Sequence, residues 1–388
     1  MIRILQIAPE IGPGTGVGGV AHQLETQWRA AGIPTSRFTL QEARGSWLPA
    51  PGPGLRGKAA LWARVTWFST VGTMLARRAV RRDPGALVVC HNDALVGDVY
   101  VNHGVLVEAM RLRGHPFWRI VRNPVHPFTI VRDTVRYRSR RVHRAVVSLT
   151  AADADALRRS FGRVRPRSVV IGNGVDPERF RPPTQAQRHA ARARLGVGLA
   201  EQVVLFVGHE FGRKGLPELV EAFAALGAST HLVVVGGTPD LLRDIARHPS
   251  ARAVGDRLHL LGPLSDPRWV FQGADLFALP SAYEAYPLVV LEALASGLPV
   301  VATPVGSVPD LIVDGLNGHI VERNPASIRA GIARVLAADP QTLRAAARAT
   351  ALEHTWDAVA ERYLVLLNDL SGSAALPMSP RGVEDRHD

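Results

Sequence analysis

LFALPSAYEAYPLVVLEALASGLPVVATPVGSVPDL, Leu276 to Leu311, is the stretch whose reading decides the fold. Leu276 to Leu279 is an apolar run of strand length, and Pro280 and Ser281 end it, because proline has no N–H to pair and serine favours turns. Pro287 suits a first helical turn, Leu288 to Ser296 is built from good helix formers, and Gly297 with Pro299 supplies the stop. Val300 to Ala302 then reads as the next strand. A strand, loop, helix and second strand in this order make one unit of a parallel α/β sheet. Ligands of such sheets bind beyond the carboxyl ends of the strands, and anions sit at helix N-termini. The Leu288 and Val289 amides are therefore candidate phosphate donors.

Two carboxylates flank that helix start, Glu284 and Glu292, eight positions apart. Glu284 lies in the loop, and Glu292 falls one turn after Leu288 on the same helix face. Carboxylates accept paired hydrogen bonds from vicinal hydroxyls. One can hold a sugar ring and the other a ribose, with a diphosphate on the amides between them. For an isolated pair, a solvated loop charge and a helix-surface charge would be the simpler account. Against it, Glu292 stands among Leu291, Ala293 and Leu294 on a helix apolar nearly all round.

The order Pro280-Ser281, Glu284, Glu292-Ala293, Ala295-Ser296-Gly297 and Pro299 to Thr303 resembles the donor-site signature of the retaining family 4 glycosyltransferases, the glycosyl transferases group 1. The resemblance implies the α/β GT-B fold, two Rossmann-like doubly wound domains facing a central cleft. It implies a hexosyltransferase that moves sugar from a nucleoside-diphosphate sugar to an acceptor hydroxyl, in cell-envelope glycolipid or polysaccharide synthesis.

Bulk properties are compatible with this. A chain of 388 residues is long enough for two domains, and 46% hydrophobic content supports two cores. The formal charge of +12 comes almost wholly from arginine, since Lys58 and Lys214 are the only lysines. A lysine kept at 214 hints at a need for a compact point charge. No apolar run approaches bilayer-spanning length, and MIRILQIA enters strand-like alternation without a cleavage site, so a cytoplasmic protein is expected. The single cysteine, Cys90, excludes an intramolecular disulfide and a thiolate metal cluster.

Strand-like and helix-like stretches alternate throughout. Strands are expected near 2–8, 36–40, 87–90, 99–102, 145–149 and 169–171, then near 203–207, 231–235, 258–261, 276–279, 299–302 and 318–321. The glycine, proline and asparagine of Gly172 to Pro183 mark a join. The expected division is an acceptor-side domain over 1–176, completed by a C-terminal helix at about 355–370 as in GT-B enzymes, and a nucleotide-sugar domain over 177–354. Residues 372–388 lack a hydrophobic pattern and read as a disordered tail.

Three further constellations bear on chemistry. IGPGTGVGGV, Ile11 to Val20, is a glycine-rich turn expected to feed a helix from Ala21 onward. Its spacing does not fit a nicotinamide-binding G-x-G-x-x-G. By itself the loop is either a structural turn or a ligand loop, and the family's Gly-Gly pair beside the donor phosphate resembles Gly18-Gly19. GHEFGRKGL, Gly208 to Leu216, follows a strand and puts Arg213 and Lys214 where they can neutralise a leaving diphosphate, though two solvated surface cations would look the same. The family grips the diphosphate with an Arg and a Lys. Here His209 stands where the commonest pattern has the arginine, and the adjacent pair is more similar to lipopolysaccharide-core glucosyltransferases, so the arginine role goes to Arg213. His103, after VYVN, is similar to a histidine that family 4 enzymes keep near the reacting carbon of the donor sugar, although a lone histidine is more often structural. His91, Asn92 and Asp93 are weaker candidates for acceptor contact.

The expected catalytic set is thus His103, Arg213, Lys214 and Glu284. The donor-binding set is Gly18, Gly19, Gly208, Arg213, Lys214, Tyr286, Leu288, Val289 and Glu292. No cofactor or essential metal is expected. Asp153-Ala154-Asp155 matches a metal-binding D-x-D superficially, but Thr150 before it makes a helix N-cap the sufficient reading. Asn173-Gly174-Val175-Asp176 resembles an interdomain motif of the family and reads as a hinge.

From Arg111 to Arg144 the chain holds ten arginines against one acid, Asp133, with Phe117, Trp118, Ile120, Phe128, Ile130 and Val131 interleaved. This predicts a peripheral membrane surface for a lipid-linked acceptor, with a solvated basic face as the plain alternative. Rival functions are a sugar-nucleotide epimerase or hydrolase on the same fold, and a nucleic-acid-binding protein drawing on the basic stretch.

Overall fold

The computed structural model describes residues 2–14, 16–52, 54–112, 123 and 125–372. Phe117, Trp118 and Ile120, and the expected tail beyond Gly372, lie outside these residues. The chain divides into two compact units, Met1–Ile171 with Trp356–Asp388, and Gly172–Thr355.

In the first unit, strands β1 (Arg3–Ile7), β2 (Thr35–Phe38), β3 (Ala86–His91), β4 (Val99–Asn102), β5 (Ala145–Ser148) and β6 (Arg167–Val170) form one sheet in the order β2-β1-β3-β4-β5-β6. Every neighbouring pair is parallel. Parallel strands covered on both faces read as near-continuous apolar runs, and Val88, Val89 and Cys90 are buried together for this reason. Burial pushes the Cys90 thiol up to about 12.

In the second unit, β7 (Gln202–Val207), β8 (Thr230–Val235), β9 (Leu258–Gly262), β10 (Leu276–Leu279), β11 (Val300–Ala302) and β12 (Gly318–Ile320) are ordered β12-β11-β10-β7-β8-β9, again all parallel. Each unit has its own core. All twelve expected strands are present, with ends within two residues of expectation.

The first unit ends at Ile171 rather than at 176. The cause is local: Val175 bridges Thr355 and its N–H donates to the His354 carbonyl at 2.9 Å, which ties the Asn173 to Asp176 segment into the second unit. The helix Trp356–Ser371 belongs to the first unit. There Trp28 Nε1 donates to the Ala360 carbonyl at 3.1 Å, and the Trp28 and Tyr363 rings meet edge to face at 6.2 Å.

Three readings of the first unit need correction. The helix after the glycine-rich turn starts at Val17, not Ala21, so Gly18 and Gly19 are its first turn. Gly19 packs on the Gly14 carbonyl with no room for a Cβ, and this is what lets the helix begin so early.

Arg132 and Arg136 are not part of a basic face. Both are buried, Arg136 at 0% exposure. Arg132 pairs with Asp93 at 2.6 Å, Arg136 pairs with Asp133 at 2.5 Å, and Arg136 lies over the Tyr100 ring while donating to the Asn92 and Ala94 carbonyls. Asp133, expected as a lone acid in a basic run, is the counter-ion that allows this burial.

The same network removes His91 and Asp93 as acceptor contacts, since His91 is fully buried and Asp93 holds Arg132. As for the Asp153 to Asp155 segment, the Thr150 side chain caps the helix Ala151–Phe161 by accepting from the Asp153 N–H, and Asp155 pairs with Arg158 at 2.6 Å.

Candidate functional site

The second sheet reverses its winding between β7 and β10, and the crevice outside the carboxyl ends at such a reversal is where open α/β sheets bind ligands. The loops leaving those two strands carry the expected residues. After β7, Gly208 lies under the Lys214 side chain, where a Cβ would collide with the lysine methylenes. The short helix Phe211–Lys214 then presents Arg213 and Lys214 together.

After β10 the loop returns Glu284 to them. Glu284 Oε1 accepts from Lys214 Nζ at 2.8 Å, from the Ser281 hydroxyl at 3.0 Å, and lies 3.0 Å from Arg213 Nη1. Arg213 is fixed further by Glu210 at 2.7 Å and by the Tyr283 carbonyl at 2.5 Å. Burial alone would draw its pKa down; Glu284 and Glu210 more than offset this, and it stands above the ordinary arginine value.

The loop itself is held from below. Thr303, just after β11, donates its hydroxyl to the Ser281 carbonyl at 2.5 Å. Gly306, with φ 56°, runs against the Glu284 and Ala285 carbonyls at a distance only glycine permits.

The helix Leu288–Ala295 begins at Pro287 with no side-chain cap. Val290 N–H returns to the Pro287 carbonyl at 2.9 Å, which leaves the Leu288 and Val289 amides as the donors at the helix start. Leu288 and Val289 are only half-buried, although both are apolar. Tyr286, in the same loop, packs its ring and hydroxyl on the backbone of Gly172.

Glu292 takes no side-chain hydrogen bond from the described residues. Burial pushes its carboxyl up to about 7, with the Arg179 charge drawing it back. Thus Arg213, Lys214 and Glu284 meet directly, while Glu292 stands apart on the helix that carries the two amides.

Sequence reading missed Arg179 altogether, and missed Ser281, Thr303 and Gly306 as supports. The latter three lie inside the quoted stretch, where their spacing from Glu284 was the available signal.

In the first unit the winding reverses between β1 and β3. His103 follows β4 and is half-buried. Its Nε2 lies 3.1 Å from Nδ1 of His91 at the end of β3, and His91 Nε2 lies 3.0 Å from Gln6 Oε1 in β1. Gln6 Nε2 donates to the Ala21 carbonyl at 2.9 Å, on the helix that opens with Gly18 and Gly19. Burial lowers His103 to about 4, and burial together with His103 holds His91 well below its ordinary value. Among the described residues no group of three or more His, Cys, Asp or Glu could hold a metal ion, and no helix is long and apolar enough to cross a membrane.

Residues 187–352 match the family described as glycosyl transferases group 1. The chain is 34% identical over 232 residues to a D-inositol 3-phosphate glycosyltransferase of Xylanimonas cellulosilytica, covering 57% of this chain and 55% of that protein. It is 33% identical over 251 residues to the Nocardia farcinica protein of the same name, covering 59% and 54%. The chain thus spans about half the length of these relatives.

Among solved structures it resembles sucrose-phosphate synthase from Thermosynechococcus elongatus, with TM-score 0.75 at 19% identity over 96% of this chain and 100% of that one. It also resembles WaaG, a glycosyltransferase involved in lipopolysaccharide biosynthesis, with TM-score 0.74 at 19% identity over 95% and 100%. A third match is Anabaena HepE in complex with UDP and glucose, with TM-score 0.66 at 20% identity over 95% and 100%. Two parallel-sheet Rossmann-like units in this order make the fold GT-B.

Proposed function

We propose that the chain is a retaining, metal-independent glycosyltransferase that moves a sugar from a nucleoside-diphosphate sugar to an acceptor hydroxyl. The observation that carries this reading is the meeting of Lys214, Arg213 and Glu284 at the winding reversal of the second sheet, next to an uncapped helix start. Two cations and two backbone amides suit a diphosphate, whose charge grows as it leaves. A carboxylate already oriented by Ser281 suits sugar hydroxyls. Glu292 holds the ribose, one helical turn along from the amides.

The departing diphosphate, stabilised by Lys214 and Arg213, takes the proton from the acceptor hydroxyl on its own face of the sugar. The new glycosidic bond forms on that face and configuration is kept. No protein nucleophile enters. His103, in the first unit, takes the role of the histidine that the family resemblance assigns to the donor sugar. The match of 187–352 to glycosyl transferases group 1 covers this donor machinery and supports the reading.

The acceptor is lipid-linked, and the first unit meets an anionic membrane surface. Val131 and Val135 are exposed one turn apart on the helix Val125–Arg138, and Arg138, Arg140 and Arg141 are exposed beyond them.

The test is incubation with a panel of nucleoside-diphosphate sugars and lipid-linked acceptors, with NMR of the new anomeric centre. Transfer with the donor's anomeric configuration is expected. Inverted product would refute retention, and conversion of donor without any transfer would place the chain with the epimerases or hydrolases.

A further inference from the structure

We propose that Gln6 and His91 are positioning residues that fix the tautomer of His103, holding its proton on Nε2 and leaving Nδ1 as a bare lone pair. The argument runs through obligatory donors and acceptors. The Ala21 carbonyl can only accept, so the amide nitrogen of Gln6 faces it and the amide oxygen faces His91. That oxygen in turn can only accept, so His91 carries its proton on Nε2.

A neutral imidazole has one N–H, and His91, fully buried and held well below its ordinary value by burial and by His103, stays neutral at physiological pH. Its Nδ1 is then an acceptor. The nitrogen 3.1 Å away, Nε2 of His103, must supply the hydrogen; the ring centroids lie 5.4 Å apart, as rings that meet nitrogen to nitrogen along their edges do. His103 is neutral too, so its Nδ1 has no proton.

The orienting group is an amide anchored to a main-chain carbonyl rather than a carboxylate. This distinguishes the chain of contacts from one that raises the basicity of a catalytic histidine. An amide sets direction without adding charge. His103 therefore accepts a hydrogen bond from a ligand hydroxyl and cannot donate one from Nδ1 or carry a positive charge near neutrality. All three side chains sit on β1, at the end of β3 and after β4, beside the winding reversal of the first sheet.

The tautomer is a property of the chain alone; its effect on turnover rests on the reading that His103 meets the sugar. Two-bond 1H–15N correlation spectra of the 15N-histidine-labelled protein at neutral pH report it directly, and Nε2-protonated neutral rings are expected for both His91 and His103. An Nδ1-protonated or cationic His103 overturns the proposal without any variant being made.

Gln6→Glu supplies a carboxylate that favours charged His91, whose Nδ1–H then donates to His103 and moves the His103 proton to Nδ1. Gln6→Met, which retains size without polarity, leaves His91 free and gives His103 a mixture of both forms. An unchanged His103 spectrum in both variants overturns the proposal. With the tautomer switched, kcat is expected to fall tenfold or more while nucleotide affinity is unchanged. A switched tautomer with unchanged turnover upholds the relay and removes His103 from the reaction.

Discussion

Lys214 Nζ donates to Glu284 Oε1 across 2.8 Å, and the same oxygen lies 3.0 Å from Arg213, so one carboxylate oxygen serves both cations expected to meet the diphosphate. Lys214→Ala should lower turnover about a hundredfold or more, the scale of losing a preorganised electrostatic donor. Near-normal turnover of the variant would remove Lys214 from the mechanism. Glu284→Ala should weaken the sugar-bearing donor far more than the bare nucleotide, and equal losses of both in calorimetry would contradict its place at the sugar.

Glu292 gives a pH dependence with a definite sign. Its carboxyl is raised from 4.5 to about 7 by burial, so between those values the folded chain holds a proton that the unfolded chain has lost. Its contribution to stability therefore falls as pH rises through that window. Ribose hydroxyls need the carboxylate, so nucleotide affinity should climb toward pH 7 and level off above it, with proton release seen as a buffer-dependent binding enthalpy. Glu292→Gln should abolish that dependence and cost about 1 to 3 kcal/mol in nucleotide binding above pH 7. A glutamine variant with the parent's pH profile would refute the assignment.

Magnesium and manganese should be dispensable, because the proposal gives the diphosphate two cations, Arg213 and Lys214, and the Leu288 and Val289 amides at a helix start. The check is turnover after exhaustive chelation. Loss of activity that a divalent ion restores would contradict the proposal.

Membrane association should depend on the arginines that are exposed. Arg138→Gln, Arg140→Gln and Arg141→Gln together should release the protein from anionic vesicles, each cation near the surface adding about 1 kcal/mol. Donor binding should survive, since the residues proposed to hold the nucleotide belong to the second unit. Co-sedimentation no better with anionic than with neutral vesicles would end the membrane reading.

Arg136 behaves differently from those three. Arg136→Gln leaves Asp133 short of a partner and takes the guanidinium donor from the Asn92 and Ala94 carbonyls, so it should destabilise the first unit by about 3 to 5 kcal/mol, measured by chemical denaturation. A loss below 1 kcal/mol would mean that the buried network relaxes around the gap.

The positions of the strands were legible because parallel strands buried on both faces announce themselves as short apolar runs, and because Pro280 or Gly208 stops them cleanly. The residues Glu284, Arg213 and Lys214 were legible as a set, but their mutual contact was not. It depends on two loops from strands neighbouring in space and some seventy residues apart in sequence. Arg132 and Arg136 were misread for the opposite reason. A run of arginines looks like a surface, and only the fold brings Asp93 and Asp133 in beneath it. The partners of His103 were out of reach as well, since Gln6 lies in an apolar strand where nothing marks it as more than a tolerated polar residue.

The first unit is assembled from the two ends of the chain, with the helix Trp356–Ser371 closing over Trp28. During synthesis this inverts the usual N-terminal-first order. The ribosome delivers β1 to β6 early, yet the Trp28 indole waits for the Ala360 carbonyl through more than three hundred further residues. The intervening unit is continuous and can complete its own core meanwhile. The nascent protein therefore completes its second unit before its first is sealed, and a chain stalled or clipped shortly after Thr355 would hold a finished second unit and a first one with Trp28 uncovered.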